Sequence, residues 1–242
     1  MLNIEQKVNI TDNKASSYFY EEALKTLRTN IMLSGRNKKT ILVTSTHPNE
    51  GKTELTFQLC RALSEIGKKV MLIDADLRKS TYVGRTKGNT NLKGLTHYLS
   101  GQATAEQICF HTNYDGMDMI FAGALTVNAA ELLSDPSLHE LLTMLREEYD
   151  YILVDAPPVG MVIDAAVIAP ECDGSMYVTE SETTSYKLAK KAIDQLEKTG
   201  CKILGVVLNK VDLQREGAYG KYGRYGKYGR YSKYQYYYKN QD

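Results

Sequence analysis

Thr40-Ile-Leu-Val-Thr-Ser-Thr-His-Pro-Asn-Glu-Gly-Lys-Thr53 is the stretch whose reading decides the fold. Its first six residues read as a short buried strand. His47-Pro48-Asn49-Glu50-Gly51 carries turn chemistry, and a helix then opens with Leu55, Leu59, Leu63 and Ile66 on one face. Gly67 and the lysines 68–69 close that helix as a C-cap and as partners of its dipole. Gly51-Lys52-Thr53 therefore stands between a strand and a helix, where a phosphate-binding loop belongs. Pro48, Asn49, Glu50, Gly51, Lys52 and Thr53 are expected to cradle a nucleotide. The Lys52 ammonium reaches the outer phosphates there, and the Thr53 hydroxyl ligates Mg²⁺. Thr46 stands where the GxxxxGK[ST] pattern has its first glycine, so placement carries this reading more than the motif does.

The same order repeats outward from the loop. Val70-Met-Leu-Ile73 is a strand that ends on Asp74 and Asp76. Leu138–Glu148 is helical, and Tyr151–Val154 is a strand that ends on Asp155. Gly174–Thr179 is another strand, Thr184–Thr199 a helix, and Lys202–Leu208 a last buried strand. Ahead of the loop, Tyr20, Ala23, Leu27 and Ile31 space a helix over Ser16–Ser34. Apolar strands alternating with helices predict an α/β, P-loop NTPase-like fold, with a mostly parallel β-sheet covered by helices on both faces. Ligands bind at the carboxyl ends of such strands, so Asp74, Asp76 and Asp155 converge on the loop. Three carboxylates beside one phosphate site repel unless a divalent cation is present, and Asp155 is placed to hold it. Asn209-Lys210-Val211-Asp212 resembles a guanine-reading NKxD, but Asp155-Ala-Pro-Pro158 lacks the accompanying DxxG glycine. Asn209 is kept as a candidate for a purine edge, without a commitment to guanine.

The 242 residues are 43% hydrophobic, enough for one sizeable core. The net charge of +1 hides an asymmetry. Residues 215–242 hold seven basic and two acidic residues, or +5, while residues 1–214 hold 23 basic and 27 acidic, or −4. Three segments follow: a flexible arm over 1–15, a catalytic domain over 16–214, and a tail over 215–242. The tail repeats Tyr-Gly-Lys and Tyr-Gly-Arg without Ile, Leu, Val or Phe, so it is expected to be disordered. Its nine tyrosines are either phosphoacceptors or, with arginine, a surface for stacking single-stranded RNA. No run of apolar residues reaches the roughly 18 needed to span a bilayer, and no secretory signal is expected. Cys60, Cys109, Cys172 and Cys201 stand singly, which fits neither a disulfide framework nor a zinc site and suits a reducing compartment.

Taken together, these residues resemble the bacterial tyrosine kinases of capsular and exopolysaccharide synthesis, in their cytoplasmic kinase-subunit form. The matching segments are Leu24–Ile31, Ile41–Thr53, Leu72–Lys79, Ala122-Gly123 with Asn128 and Glu131-Leu-Leu133, and Tyr149–Pro158. The resemblance implies ATP and Mg²⁺ as cofactors, Lys52 and Thr53 in Walker A, and Asp155 in Walker B. It implies Asp74 and Asp76 as an added Walker A′ motif. Lys52, Asp74 and Asp76 are then catalytic, with Asp74 the base for the tyrosine hydroxyl, and Thr53, Asp76 and Asp155 organise the metal. Glu22, Lys25 and Arg28, a polar stripe on the first helix, fall on the family's ExxRxxR helix of ring-like self-association. Lys25 replaces an Arg there and lacks the guanidinium fork.

By the same resemblance, Tyr219, Tyr222, Tyr225, Tyr228, Tyr231, Tyr234, Tyr236, Tyr237 and Tyr238 are the phosphoacceptors, used in trans between subunits. A membrane adaptor of the polysaccharide co-polymerase type would activate the chain and recruit it from the cytoplasm to the inner face of the membrane. A cognate phosphotyrosine phosphatase would reset the tail. No DNA is expected as a partner. Two other classes compete: a ParA/MinD-like P-loop ATPase of a positioning system, and an RNA-binding ATPase using the tail. Positioning ATPases carry a signature lysine where this chain has His47, which supplies no permanent charge at neutral pH.

Overall fold

The computed structural model describes residues 2–12, 17–35, 37–86 and 92–212. Its strands are β1 (Lys7–Val8), β2 (Thr40–Ser45), β3 (Val70–Asp74), β4 (Cys109–Thr112), β5 (Met117–Ile120), β6 (Tyr151–Asp155), β7 (Gly174–Glu180) and β8 (Ile203–Asn209). The helices are α1 (Tyr18–Leu33), α2 (Lys52–Ser64), α3 (Leu95–Leu99), α4 (Ala105–Ile108), α5 (Ala129–Leu133), α6 (Pro136–Glu148), α7 (Asp164–Ile168) and α8 (Tyr186–Glu197). All of them lie within Met1–Lys210. The readings of residues 213–242 as a disordered tail of phosphoacceptors fall outside the described residues.

The strands form one sheet in the order β1-β4-β5-β3-β6-β2-β7-β8. All neighbours are parallel except β4 and β5, a short antiparallel pair. Every residue of β2 and β3 is buried, because helices cover both faces there. One face carries α1 and α2 over Ile41, Val43, Leu72 and Leu153. The other carries α5, α6, α7 and α8 over Leu42, Met71, Ile73 and Val154. On α2 the expected stripe of Leu55, Leu59 and Leu63 is buried, each contributing about 1.5–3 kcal/mol over exposure. Ile66 lies beyond the helix end and is exposed. Local caps set the helix starts: Ser17 accepts from Tyr20 N, and Asp135 accepts from Ser137 N with Pro136 at the first helical position.

Two expectations need correction. The arm read as flexible over 1–15 is docked where it is described. Lys7–Val8 pairs with His111–Thr112 as an edge strand, and Val8 and Ile10 are buried. Leu2 and Ile4 pack on the core as well, Ile10 N donates to Asn113 Oδ1 and Asp12 pairs with Arg61, so apolar residues at alternate positions and long-range polar bonds together seat the arm on the open sheet edge. The strand read as buried over Lys202–Leu208 lies at the opposite edge, as β8. There Val206 and Leu208 are each 54% exposed, and among the described residues no strand lies beyond β8.

Candidate active site

Four strand ends meet beside one helix start. β2 leads into His47–Gly51, and α2 begins at Lys52. Gly51 adopts φ +91, a left-handed conformation open to glycine, and a Cβ there would come 2.1 Å from Asn209 Nδ2. β3 and β6 are neighbours on which Asp74 and Asp155 are direct register partners, and Asp155 also pairs with Val43 of β2. The three acids singled out from the sequence thus lie on one side of Lys52. Its Nζ is 3.3 Å from Asp155 Oδ1, 3.8 Å from Asp76 Oδ2, and donates to Thr53 Oγ1 at 3.0 Å.

Burial controls the acids. Asp74 and Asp155 are each 1% exposed. Desolvation, followed by the nearby Asp155 carboxylate, pushes the Asp74 carboxyl up to about 7. Ser80 Oγ donates to Asp74 Oδ2 at 2.5 Å and Asp76 N to Oδ1 at 3.2 Å, and both bonds pull the other way. Burial also raises Asp155, against the pull of the Lys52 ammonium. Asp155 Oδ2 is buried without a hydrogen-bond partner. An orphaned carboxylate oxygen beside the Thr53 hydroxyl and the Asp76 carboxylate suits a hard divalent cation. Among the described residues no group of three or more His, Cys, Asp or Glu side chains forms a metal cage. A Mg²⁺ that keeps waters and takes phosphate oxygens needs none.

Some expected residues have other work. The Glu50 side chain accepts from His47 N, Thr179 Oγ1, Glu180 N and Thr184 Oγ1, and so turns into the protein. Asn209 Nδ2 donates to the Glu50 carbonyl and so ties the end of β8 to the loop. Pro48 and Asn49 are exposed on the loop's outer turn, and Asn49 adopts φ +67. Of the α1 stripe, Glu22 and Lys25 pair with each other at 2.7 Å, while Arg28 donates to Ala62 O of α2 in the same chain. Arg28 is thereby anchored on α2 and is not a free surface cation.

Sequence reasoning missed Arg78, Asp164 and Ser80. Arg78 grips the fully buried Asp164 with two bonds of 2.7 and 2.9 Å and donates to Val127 O, fixing the segment after Asp76. The partners lie 86 positions apart and no spacing announces them; Ser80, six residues past Asp74, carries no motif either.

The family described as AAA domain matches residues 38–198. The tyrosine-protein kinase CpsD of Streptococcus pneumoniae is 39% identical over 223 residues, covering 91% of this chain and 96% of that protein. The chain belongs to the bacterial tyrosine-protein kinase family. The kinase domain of Escherichia coli tyrosine kinase ETK superimposes with a TM-score of 0.75 at 26% identity, over 86% of this chain and 90% of that one. The septum site-determining protein MinD from Pyrococcus horikoshii, solved with Mg-ADP, reaches 0.59 at 27% identity over 70% of this chain and 69% of its own. Kinase domains therefore match more of this chain, and match it better, than a positioning ATPase does. The fold is that of nucleotide-binding P-loop proteins, and the chain is a protein-tyrosine kinase by family.

Proposed function

We propose that the chain transfers the γ-phosphoryl group of ATP to tyrosine hydroxyls of its own tail, between subunits, and so regulates the synthesis and export of a capsular or extracellular polysaccharide. The observation that carries the reading is the buried Asp74–Asp155 pair, with the Lys52 ammonium 3.3 Å from Asp155, in a member of this family. Asp74 takes the proton of the acceptor hydroxyl as that oxygen bonds to phosphorus and the bond to the β-phosphate oxygen breaks. A carboxyl near 7 is matched to this task at neutral pH. Lys52 stabilises charge on the transferred and leaving phosphates. Thr53, Asp76 and Asp155 hold Mg²⁺, which supplies further neutralisation of the phosphates.

The acceptors are Tyr219 to Tyr238. A +5 tail beside a −4 body favours the approach of one subunit's tail to another's acidic site. Glu22 and Lys25 on the outer face of α1 supply the ring contact. A membrane adaptor activates the chain at the inner face of the membrane, and a phosphotyrosine phosphatase reverses it. Among the described residues no helix is long and apolar enough to cross a membrane. Labelled ATP with Mg²⁺ tests the reading: phosphotyrosine forms on the wild-type chain and not on Lys52→Met.

A further inference from the structure

The acid in the phosphate-binding loop faces the protein, and its two oxygens do different things. Glu50 is 1% exposed. Oε2 accepts from His47 N at 2.7 Å, closing the turn within the loop. Oε1 accepts from Thr184 Oγ1 at 2.5 Å, Thr179 Oγ1 at 3.2 Å and Glu180 N at 3.3 Å; Thr179 and Glu180 end β7, and Thr184 lies on the connection from β7 to α8. Four donors converge on one carboxylate. Burial alone would raise this carboxyl, yet these bonds together hold it below the usual range.

The loop's carbonyls are captured on the same side. Asn209 Nδ2 donates to Glu50 O at 2.9 Å, and Lys210 Nζ donates to Asn49 O at 2.6 Å while pairing with Glu180 at 2.8 Å. A trans peptide holds its C=O and N–H on opposite sides of the plane. Drawing the Asn49 and Glu50 carbonyls toward Lys210 and Asn209 therefore turns the N–H groups of Glu50 and Gly51 the other way. That is the orientation an anion cradle at a helix N-terminus requires.

We propose that Glu50 is a positioning residue: its carboxylate pins the phosphate-binding loop to residues 179–184, so that nucleotide affinity depends on Thr184, which lies outside the loop. This rests on the nucleotide-binding reading of that loop. Glutamine is no substitute, although it has the same shape. Its NH₂ must face either the His47 N–H or the Oε1 partners, and each arrangement sets it against a backbone N–H, of His47 or of Glu180, even where the threonine hydroxyls turn to accept. Thr184 contributes only its hydroxyl, so serine keeps the brace and valine removes it.

The test uses the full chain carrying Glu50→Gln, Thr184→Val or Thr184→Ser, with fluorescent mant-ADP and Mg²⁺ as the probe. Amide hydrogen exchange over residues 47–53 of the nucleotide-free protein is the second readout. Glu50→Gln is expected to weaken mant-ADP about tenfold or more, and Thr184→Val about threefold to tenfold, the scale of one typical lost hydrogen bond. Both speed exchange over 47–53 while β3 and β6 keep their protection, and Thr184→Ser behaves as wild type. In tyrosine transfer the KM for ATP rises and kcat holds, whereas general damage to the fold would lower both together with sheet protection. Wild-type affinity and unchanged exchange in Thr184→Val overturn the proposal, even where Glu50→Gln does not fold. A wild-type chain that binds no mant-ADP contradicts the nucleotide reading instead, and unchanged exchange in Thr184→Val then still overturns the brace.

Discussion

Asp74 and Asp155 end adjacent parallel strands as direct register partners, so two buried carboxyl groups stand side by side at the sheet's active edge. Only one of them is close to the Lys52 ammonium: Asp155 Oδ1 is 3.3 Å from Nζ, whereas Asp74 is held by Ser80 Oγ and Asp76 N. Two acids with different partners take different roles, a division that environment alone can impose.

That division predicts two distinct failures. Asp155→Asn is expected to weaken Mg²⁺-nucleotide binding by an order of magnitude or more, because it removes a metal-facing charge. Asp74→Asn is expected to leave the affinity within about threefold of wild type and to lower transfer by roughly 10²–10⁴, the range of a lost general base. Titrating nucleotide against both variants and then measuring kcat checks this. Equal, large losses of affinity would make Asp74 a metal-site residue and not the base.

The titration of Asp74 predicts a pH-dependent stability. Its folded pKa, about 7, is raised above the ordinary 3.8. Its contribution is therefore fully present below about pH 4 and is lost as pH rises through 7. Asp74→Asn removes the titration, so in chelator and without nucleotide its Tm should gain on wild type between pH 6 and pH 8. Calorimetry at both pH values reads this difference directly. A gap that stays constant would place the Asp74 carboxyl outside that range.

The sequence exposed the site more readily than its supports. β2, the loop and α2 are continuous in the chain, and Asp74 and Asp155 each follow an apolar run, so strand ends and acids were readable together. Reading Glu50 as a nucleotide contact follows from its place between Asn49 and Gly51 in the loop, yet its partners Thr179 and Thr184 lie about 130 positions away. Lys202–Leu208 looked buried because an apolar run does not reveal whether another strand pairs beyond it; among the described residues the sheet stops at β8. Leu2, Ile4, Val8 and Ile10 alternate along the arm and pack on the core, but Gln6 interrupts the pattern and local sequence cannot show the open edge at β4 that receives them.

Arg78 and Asp164 make a prediction about stability. Asp164 is fully buried and Arg78 is one-third exposed. Arg78→Ala leaves that carboxylate without its two guanidinium bonds and is expected to cost roughly 2–4 kcal/mol, toward the low end of breaking a buried pair because Arg78 is partly solvated. The double variant Arg78→Met with Asp164→Leu should recover much of the loss, since no unpaired charge remains. Urea unfolding of wild type, Arg78→Ala, the single variants Arg78→Met and Asp164→Leu, and the double variant measures it. A double variant as unstable as the two single losses added together would deny the coupling.

The central claim is that this chain moves phosphate from ATP to tyrosines of a neighbouring copy. The most direct measurement mixes wild-type chain with an isotope-labelled Lys52→Met chain, in ATP, Mg²⁺ and the cytoplasmic segment of the membrane adaptor. Phosphosites are then mapped by mass spectrometry. The account predicts phosphotyrosine between Tyr219 and Tyr238 on both chains, and none on Lys52→Met incubated alone. ATP consumed to ADP with no phosphotyrosine on either chain would contradict it.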